Sequence, residues 1–301
     1  MNDATTLARG WIQEFRHDQV MTLTPLVRRL TAPNPGYMTG PGTNAYLIGH
    51  REVALIDPGI THQEHIARLV AATGGRLRWI LATHTHPDHS PAAALLAEQT
   101  GAEILGHGGT LHWHHDATFN PHRLLVDGDR LSTDEFTLQA LYTPGHASNH
   151  LCYLLHEEQI LFAGDQVMEG TTVVIGPPDG DMAAYISSLE RLKREPIATI
   201  APAHGRFITN PQREFSRIIG HRLERERQVY DVLLQRGSVK IMDIVNQLYT
   251  HLPEPLRLPA GFSVYAHLLK LRKDGLACGK GFESIWSLPH EGSEPIADQT
   301  S

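Results

Sequence analysis

The stretch of residues 83–90 decides the fold: it reads T-H-T-H-P-D-H-S and directly follows the apolar run W-I-L-A of residues 79–82. An apolar run that breaks into a polar, proline-containing segment predicts a buried strand that ends in a loop. Imidazole and carboxylate are ligands that suit zinc, and the same set also binds manganese or iron. Alternate residues of an extended segment point the same way, so His84, His86 and Asp88 share a face while His89 turns aside. One loop is therefore predicted to feed two metal ions.

Chance clustering is the alternative to a metal site, because the chain carries 20 histidines among its 301 residues. The alternate spacing and the position at a predicted strand end favour the metal site. Further along, three more apolar strands are predicted to stop at a ligand-type residue that follows small residues. These residues are His146 after T-P-G, Asp165 after A-G, and His204 after A-P-A. Strand ends of this kind can converge on one pocket.

Composition predicts a soluble globular protein of about two domains, with 41% hydrophobic and 20% charged residues. A formal net charge of −7 argues against a globally basic protein that coats nucleic acid. Residues 1–13 lack an apolar signal segment, and no apolar run has membrane-spanning length, so we expect a cytoplasmic protein without a membrane partner. The two cysteines, Cys152 and Cys278, form no CxxC motif, which disfavours a disulfide framework.

Predicted strands and helices alternate from residue 20 to residue 205, which indicates an α/β architecture. From residue 210 the texture changes to three predicted helices, over 210–235, 238–249 and 262–273. Two short extended runs around the turn G-K-G of residues 279–281 follow, in the outline of a winged helix. We predict a catalytic domain over 1–209, a helical or winged-helix domain over 210–290 and a disordered tail over 291–301.

With these motifs in place, the sequence resembles the metallo-β-lactamase-fold hydrolases, whose T-H-x-H-x-D-H signature and three separate ligands are matched at all seven positions. The resemblance implies a four-layer αβ/βα sandwich followed by a small winged-helix domain. It implies that one metal is held by His84, His86 and His146. The second metal is implied to be held by Asp88, His89 and His204, with Asp165 bridging the two. Asp57 matches a strand-end carboxylate that orients a ligand imidazole.

A narrower resemblance is to the β-lactamase-like endoribonuclease branch, whose members carry a C-terminal winged helix, and it spans residues 20–288. It rests on the motifs N-P-G at 34–36, G-T-N at 42–44, I-D-P-G at 56–59, G-D at 164–165 and E-G-T-T at 169–172, and on 142–146 with His150. Residues 147–149, A-S-N, replace a more acidic stretch of that branch, a departure that concerns substrate preference. Three other relatives are disfavoured: true β-lactamases by Asp165, oxygen-reducing diiron proteins by His86, and capped nucleases by the short 165–204 interval.

The resemblance implies a hydrolase with two divalent metal ions, zinc first, with manganese or iron as alternatives. Our first prediction is an endoribonuclease-like phosphodiesterase that attacks single-stranded RNA with a metal-activated hydroxide. The alternative is a thioester or ester hydrolase of the glyoxalase II or polyketide-thioesterase type, acting on a small acyl substrate. A third hypothesis, a non-enzymatic winged-helix binding protein, is disfavoured by the intact ligand set.

Two residues are candidates for catalysis beside the metals. Asp88 can orient the nucleophile and accept a proton. His150 is either a proton donor or phosphate contact, or a histidine that merely packs near the metals. Substrate contacts are predicted at Asn44, Tyr46, Thr171 and Thr172.

The C-terminal domain bears on the substrate through its basic residues. They are Arg213, Arg217, Arg222, Arg225, Arg227, Lys270, Arg272, Lys273 and Lys280. Basic side chains suit RNA phosphates, but the interleaved acidic residues Glu214, Glu224, Glu226, Asp231 and Asp274 are equally typical of a solvated helix. A further cluster, H-W-H-H-D at 112–116, is predicted to be a surface loop or pocket rim rather than another metal site.

Overall fold

The computed structural model describes residues 15–108 and 114–289. Its first sheet has seven strands in chain order: β1 (Met21–Thr22), β2 (Val27–Thr31), β3 (Asn44–Ile48), β4 (Val53–Ile56), β5 (Leu77–Leu81), β6 (Glu103–Gly106) and β7 (Arg123–Leu124). Strands β1 to β4 pair antiparallel, and β4 to β7 pair parallel. Helices α1 (Gln63–Thr73) and α2 (Ala92–Thr100) make the crossovers β4–β5 and β5–β6. The predicted tail at 291–301 lies outside the described residues.

A second sheet of five strands contains β8 (Arg130–Ser132), β9 (Thr137–Tyr142), β10 (Leu151–Leu155), β11 (Ile160–Gly164) and β12 (Thr199–Pro202). The strand order is β12-β11-β10-β9-β8. All neighbours pair antiparallel except β11 and β12, which are parallel and joined through helix α3 (Met182–Leu192). A parallel pair needs such a crossover, since a tight turn reverses the chain.

Three apolar clusters stack these elements into four layers. The middle cluster fills the space between the two sheets and includes Ile56, Tyr153 and Phe162. A second cluster lies between the seven-stranded sheet and helices α1 and α2, and a third lies between the five-stranded sheet and helix α3. Every residue of β3, β4, β10 and β11 is buried. Since successive side chains of a strand point to opposite faces, both faces of these central strands are covered. This confirms the predicted four-layer αβ/βα sandwich.

The C-terminal part contains helices α4 (Pro211–Arg236), α5 (Ile241–Leu248) and α6 (Arg257–Lys273), a one-turn 3-10 helix (Glu254–Leu256), and a small sheet of β13 (Ser238–Lys240) with β14 (Ile285–Ser287). Trp286 is fully buried in its core, and its indole nitrogen donates to the carbonyl of Gly281 at 3.1 Å. One predicted boundary is wrong: residues 238–240 form a strand, not the start of a helix. Val239 is buried between two exposed neighbours, the alternation of an edge strand.

Helix α4 belongs to two cores. Phe215 and Ile218 in its first half pack on the five-stranded sheet, whereas Val229 and Leu233 in its second half belong to the C-terminal core. The domain boundary after residue 209 stays a prediction. Within the described ranges, no helix has the length and apolarity that a membrane span requires.

Helix α1 carries a buried histidine behind the predicted metal loop. The His65 ring is fully buried, and its Nε2–H donates to the carbonyl of Pro58 at 3.0 Å. Burial lowers the pKa of His65 from 6.5 to about 4, because the charged imidazolium loses its hydration. The ring is therefore neutral at physiological pH.

Replacing His65 by glutamine is expected to flatten the pH dependence of stability. Between pH 6.5 and 4 the unfolded chain binds a proton at this position that the folded chain does not. The free energy of unfolding of the parent therefore falls as the pH drops through this window, by about 2 kcal/mol at pH 5 from this group. Urea unfolding at pH 7 and pH 5 measures the difference. Exposed His50, which also binds a carbonyl, provides the control His50→Gln. Equal pH dependence in the parent and His65→Gln would contradict this assignment.

Candidate metal centre and active site

The predicted ligands lie at strand ends from both sheets. The loop of residues 83–90 follows β5 and carries four of them. His146 follows β9, Asp165 follows β11 directly, and His204 follows β12. The sandwich brings these ends together, and the seven side chains form three overlapping groups whose ligand atoms lie within 4.8 Å of one another: His84 with His86 and His146, His84 with His89 and Asp165, and Asp88 with His89 and His204.

The first group presents three imidazole nitrogens to one point. His86 Nδ1 lies 2.8 Å from His84 Nε2 and 3.0 Å from His146 Nε2. The other nitrogen of His146, Nδ1, donates to the carbonyl of Val174 at 2.8 Å. Thr83 donates its hydroxyl hydrogen to Asp57, so the contact of His84 Nδ1 with Thr83 Oγ1 requires Nδ1 to be the donor. Neutral His84 and His146 therefore both direct a bare Nε2 lone pair at His86.

The second group combines imidazole with carboxylate. Asp88 Oδ2 lies 3.3 Å from both His89 Nε2 and His204 Nε2. Asp165 stands between the groups: its Oδ1 is 3.3 Å from His204 Nε2, and its Oδ2 is 3.6 Å from His146 Nε2. One oxygen thus faces each group, which is the placement that a bridging carboxylate requires.

These contacts fit a pair of divalent cations. A single hydrogen on His86 Nδ1 can satisfy one of the two lone pairs that face it, whereas a cation satisfies all three nitrogens. Two atoms that face this centre, His89 Nε2 and Asp165 Oδ1, are buried without a hydrogen-bond partner. Unpaired buried polar atoms are costly and call for an explanation such as a bound ion. His84, His86 and His146 could hold one ion, and Asp88, His89 and His204 the other, with Asp165 shared.

The two groups differ in their electrostatics. Burial, reinforced by neighbouring imidazoles, holds the pKa of His84 and His86 well below 6.5, so their nitrogens are free to bind metal. For His204, burial acts in the same direction, but Asp165 and Asp88 outweigh it and raise its pKa to about 10. For His89, burial also acts to lower the pKa. Asp88 and Asp165 outweigh this effect, so the pKa of His89 lies well above 6.5. Metal binding at the second group therefore displaces protons.

Asp57 supports the metal loop from behind. Its carboxylate accepts from the backbone N–H of Thr83 at 2.7 Å, from the Thr83 hydroxyl at 2.8 Å and from His89 Nδ1–H at 3.0 Å. The last contact leaves His89 Nε2 to face the cavity. Asp57 adopts a positive φ of 50°, a strained conformation for a residue with a Cβ, and these three hydrogen bonds hold it there.

Two glycines permit the close approach of the loops. A Cβ on Gly164 would lie 2.6 Å from Thr83 Oγ1 and 2.7 Å from His150 Nε2. A Cβ on Gly145 would lie 2.3 Å from the Cα of Tyr185 in helix α3. Both glycines have positive φ, which other residues rarely adopt. The small residues beside the predicted ligands are thus a steric requirement.

The predicted substrate contacts occupy two kinds of position. Asn44 and Tyr46 are buried, and both bind the carbonyl of Pro202, which supports the segment that carries His204. Thr171 is exposed and Thr172 half-buried, in the segment after Asp165. A role of these four side chains in substrate binding stays a prediction.

His150 lies beside the first group but away from solvent. Its ring is fully buried, 5.1 Å from the ring of His84 between centroids, and burial lowers its pKa to about 3. A neutral imidazole of such low basicity is a poor proton donor at neutral pH. Its catalytic role stays a prediction. Its burial beside His84 fits the alternative, in which His150 only packs near the metals.

Sequence reasoning missed several supporting residues. Thr43 donates its hydroxyl to Asp88 Oδ2 at 2.9 Å, and it stands in the G-T-N motif, which was a usable signal. Asp179 binds His115 at 2.9 Å, and nothing in the local sequence indicated it. His112 and Trp113 lie outside the described residues, but His115 is buried against the metal loop, so its prediction as a surface or rim residue is wrong.

Substituting Asp57 by asparagine is expected to weaken metal binding by ~10- to 100-fold, because the amide turns an N–H₂ group towards donors that now meet a carboxylate. Chelator competition measures the dissociation constants. Asp231→Asn, in an ion pair on helix α4, is the matched control. Unchanged affinity in Asp57→Asn would show that this carboxylate does not set the ligand orientation.

Comparison with known families agrees with this architecture. Residues 38–204 match the family model described as Metallo-beta-lactamase superfamily, and residues 241–284 match the Beta-lactamase associated winged helix domain. The Beta-lactamase-like protein 2 homolog of Caenorhabditis elegans is 31% identical over 276 residues, covering 89% of this chain and 91% of that protein. An Atrochrysone carboxyl ACP thioesterase of Aspergillus chevalieri is 34% identical over 249 residues, covering 78% of this chain and 77% of that protein.

Solved structures share the same fold. A metallo-beta-lactamase family protein from Thermus thermophilus superposes with a TM-score of 0.74 at 23% identity, covering 89% of this chain and all of that one. A second protein, solved in a di-iron-bound form, has a TM-score of 0.52 and 28% identity, covering 63% of this chain and 97% of that one. With the family matched over more than half of its length and the winged helix matched behind it, this chain belongs to the metallo-β-lactamase superfamily of hydrolases.

Proposed function

We propose that this chain hydrolyses an acyl thioester or a related ester of a small acyl group, in a site that holds two divalent metal ions. Zinc suits the donor set best, and iron or manganese suits it too. When bound, such ions supply the Lewis acidity that lowers the pKa of water and polarises a carbonyl group. In the overall reaction water forms the new C–O bond, the C–S bond breaks, and a carboxylate and a thiol are released.

The exposed side of the centre is where a substrate can enter. His84, His89 and His204 are almost completely buried, whereas the side chains of Asp88 and Asp165 retain 24% and 13% of their exposure. His86 and His146 are also only partly buried, so a substrate would approach from the side of the centre that these two imidazoles and the two carboxylates form.

Asp88 is the residue best placed to orient the attacking water. Burial acts to raise its pKa, but His89 and His204 outweigh this effect and hold the pKa well below 3.8. The carboxylate is therefore ionised at neutral pH and accepts a hydrogen bond rather than holding a proton. The hydroxyl of Thr43 fixes Oδ2 at 2.9 Å, which limits rotation of the carboxylate.

The leaving group distinguishes a thioester from RNA. A thiol has a pKa of about 8.5, so a thiolate departs without being protonated, whereas the alkoxide released from a phosphodiester needs a proton donor. Fully buried His150, neutral at physiological pH, does not meet that need. His150 therefore favours a substrate whose leaving group departs without a proton, as a thioester's does.

The observation that carries the choice of substrate is that at least four of the nine basic side chains predicted to bind RNA already have partners within the protein: Arg217, Arg222, Arg227 and Lys270. Arg227 binds Glu224 and Asp231. Lys270 binds Glu226 and Asp274 in the same way.

Others are engaged with the protein itself. Arg217 binds Glu214 and the carbonyl of Thr171, and buried Arg222 binds the carbonyl of Val173. Because RNA binding relies on cations that neutralise phosphates, paired cations weaken that function. The similarity to a thioesterase supports the same choice.

Metal-loaded protein is expected to hydrolyse acyl thioesters of N-acetylcysteamine and to leave a mixed-sequence single-stranded RNA intact. Asp165→Asn should lower kcat/KM for the thioester by ~100- to 1000-fold, the cost of removing one electrostatic stabiliser from an active site. Thiol release with a chromogenic reagent measures the first activity, and gel electrophoresis measures the second.

Asp231→Asn, in an ion pair on helix α4, is the matched control and should retain parental activity. RNA cleavage that depends on Asp165, without thioester turnover, would replace this proposal by the endoribonuclease prediction. Metal binding without either turnover would favour a non-enzymatic role.

A further inference from the structure

A second polar cluster lies directly behind the metal loop. It consists of Thr85, His115, Asp179, Ser148 and Asn149, and we call it the buried relay. Its members are buried except for Ser148, which is half-buried; Thr85 is 1% exposed and Asp179 5%. Residues from four separate segments thus meet with little exposure to solvent, beside the imidazole of His86.

By residue type this region resembles a third metal site. His86, His114, His115 and Asp179 each offer a ligand atom within 4.8 Å of the others. The hydrogen bonds indicate a different role. In the metal centre lone pairs face lone pairs, whereas in the buried relay donors face acceptors.

The carboxylate of Asp179 determines the direction of these hydrogen bonds. It accepts from the backbone N–H of Ser148 at 3.1 Å, from the Ser148 hydroxyl at 2.5 Å and from His115 Nε2 at 2.9 Å. A carboxylate only accepts, so His115 carries a hydrogen on Nε2. In the neutral ring Nδ1 is then an acceptor.

The remaining hydrogen bonds follow from that assignment. His115 Nδ1 lies 2.6 Å from Thr85 Oγ1, so the Thr85 hydroxyl donates to it. Thr85 Oγ1 in turn accepts from Asn149 Nδ2 at 2.8 Å. The three contacts of this path, from Asn149 to Thr85, from Thr85 to His115 and from His115 to Asp179, each pair a donor with an acceptor, so none of these contacts requires a cation.

The buried relay joins the two loops that carry the first metal group. Thr85 stands between His84 and His86 in sequence, and Ser148 stands two residues after His146. The backbone N–H of Asp116 adds a hydrogen bond of 2.6 Å to the carbonyl of Thr85. Asp179 and His115 therefore tie the backbone around His84 and His86 to the backbone that follows His146.

We propose that Asp179 and His115 are positioning residues, which act through Thr85 and Ser148 to hold His84, His86 and His146 at the spacing that binds the first metal. The proposal rests on the two-metal function above. The second group, Asp88 with His89 and His204, is held by contacts outside the buried relay: those of Thr43, of Gly42 and of Asp57, which also supports Thr83 before His84. The effect of the buried relay is therefore selective for one metal.

The test isolates each metal site before breaking the buried relay. Thr85→Val removes the hydroxyl at nearly constant volume, and Thr85→Ser keeps it. Both changes are made in a His204→Ala background, where binding reports the first group, and in a His146→Ala background, where it reports the second. Zn²⁺ is titrated in competition with a chromophoric chelator, so the readout is metal affinity and not turnover.

Thr85→Val is expected to weaken Zn²⁺ binding by ~10- to 100-fold in the His204→Ala background and to leave the His146→Ala background unchanged, the usual scale for a residue that orients a ligand. Thr85→Ser should restore the affinity to within about threefold. Asp179→Asn, a second break at the far end, should repeat the selective loss. Thr100→Val removes a helix hydroxyl that binds the carbonyl of Leu96 and serves as the matched control.

Three results would overturn the proposal. Equal weakening in both backgrounds would indicate a general structural role, and unchanged affinity would indicate none. A third equivalent of Zn²⁺ in the parent that is lost in Asp179→Asn would make the cluster a metal site. Because these outcomes concern affinity, they remain distinct from a parent protein that binds metal but hydrolyses no thioester.

Discussion

The interaction on which the rest of the structure depends is the meeting of imidazole lone pairs between His84, His86 and His146. Their nitrogens lie 2.8 and 3.0 Å apart, closer than uncharged lone pairs tolerate without a hydrogen or a cation between them. Burial keeps the rings neutral, and hydrogen bonds at the opposite nitrogen of His84 and His146 hold the tautomer. The fold thus holds these three imidazoles in an arrangement that favours cation binding.

The sandwich brings these three imidazoles together at the ends of strands β5 and β9. Strands from both sheets end at one edge, where a Cβ at Gly164 would clash with Thr83 of the metal loop and a Cβ at Gly145 would clash with helix α3. The strain of Asp57 at positive φ belongs to the same arrangement. The Asp57 carboxylate accepts three hydrogen bonds, and these offset the free-energy cost of the strained backbone. The packing of the core elements and the positions of the metal ligands therefore depend on each other.

The C-terminal part contributes to the site through packing and hydrogen bonds to the catalytic domain rather than through unpaired charge. Helix α4 shares its apolar side chains between the five-stranded sheet and the winged-helix core. Arg217 and Arg222 bind carbonyls of the segment that follows Asp165, so that the basic residues stabilise the edge of the site. Cations used in this way contribute little to the binding of a polyanion. This use of charge supports a small acyl substrate over RNA.

The sequence by itself determined the fold class and the identity of the candidate ligands, because both depend on local patterns. An apolar run that ends in T-H-x-H-x-D-H places its ligands by strand alternation alone, and G-H, G-D or A-H at later strand ends repeats the signal. The winged helix was visible in the same way, apart from the strand at residues 238–240. Only the tertiary structure decided which side chains support those ligands. Asp179 reaches His115 across 64 residues, and Thr85 reaches Asn149 across the same number. No periodicity connects such positions, since they meet only when two sheets and their loops have packed. Whether Arg227 or Lys270 faces a ligand or a neighbouring carboxylate was likewise open in the sequence, because an alternating charge pattern describes both. Long-range contact, rather than residue type, decided these roles.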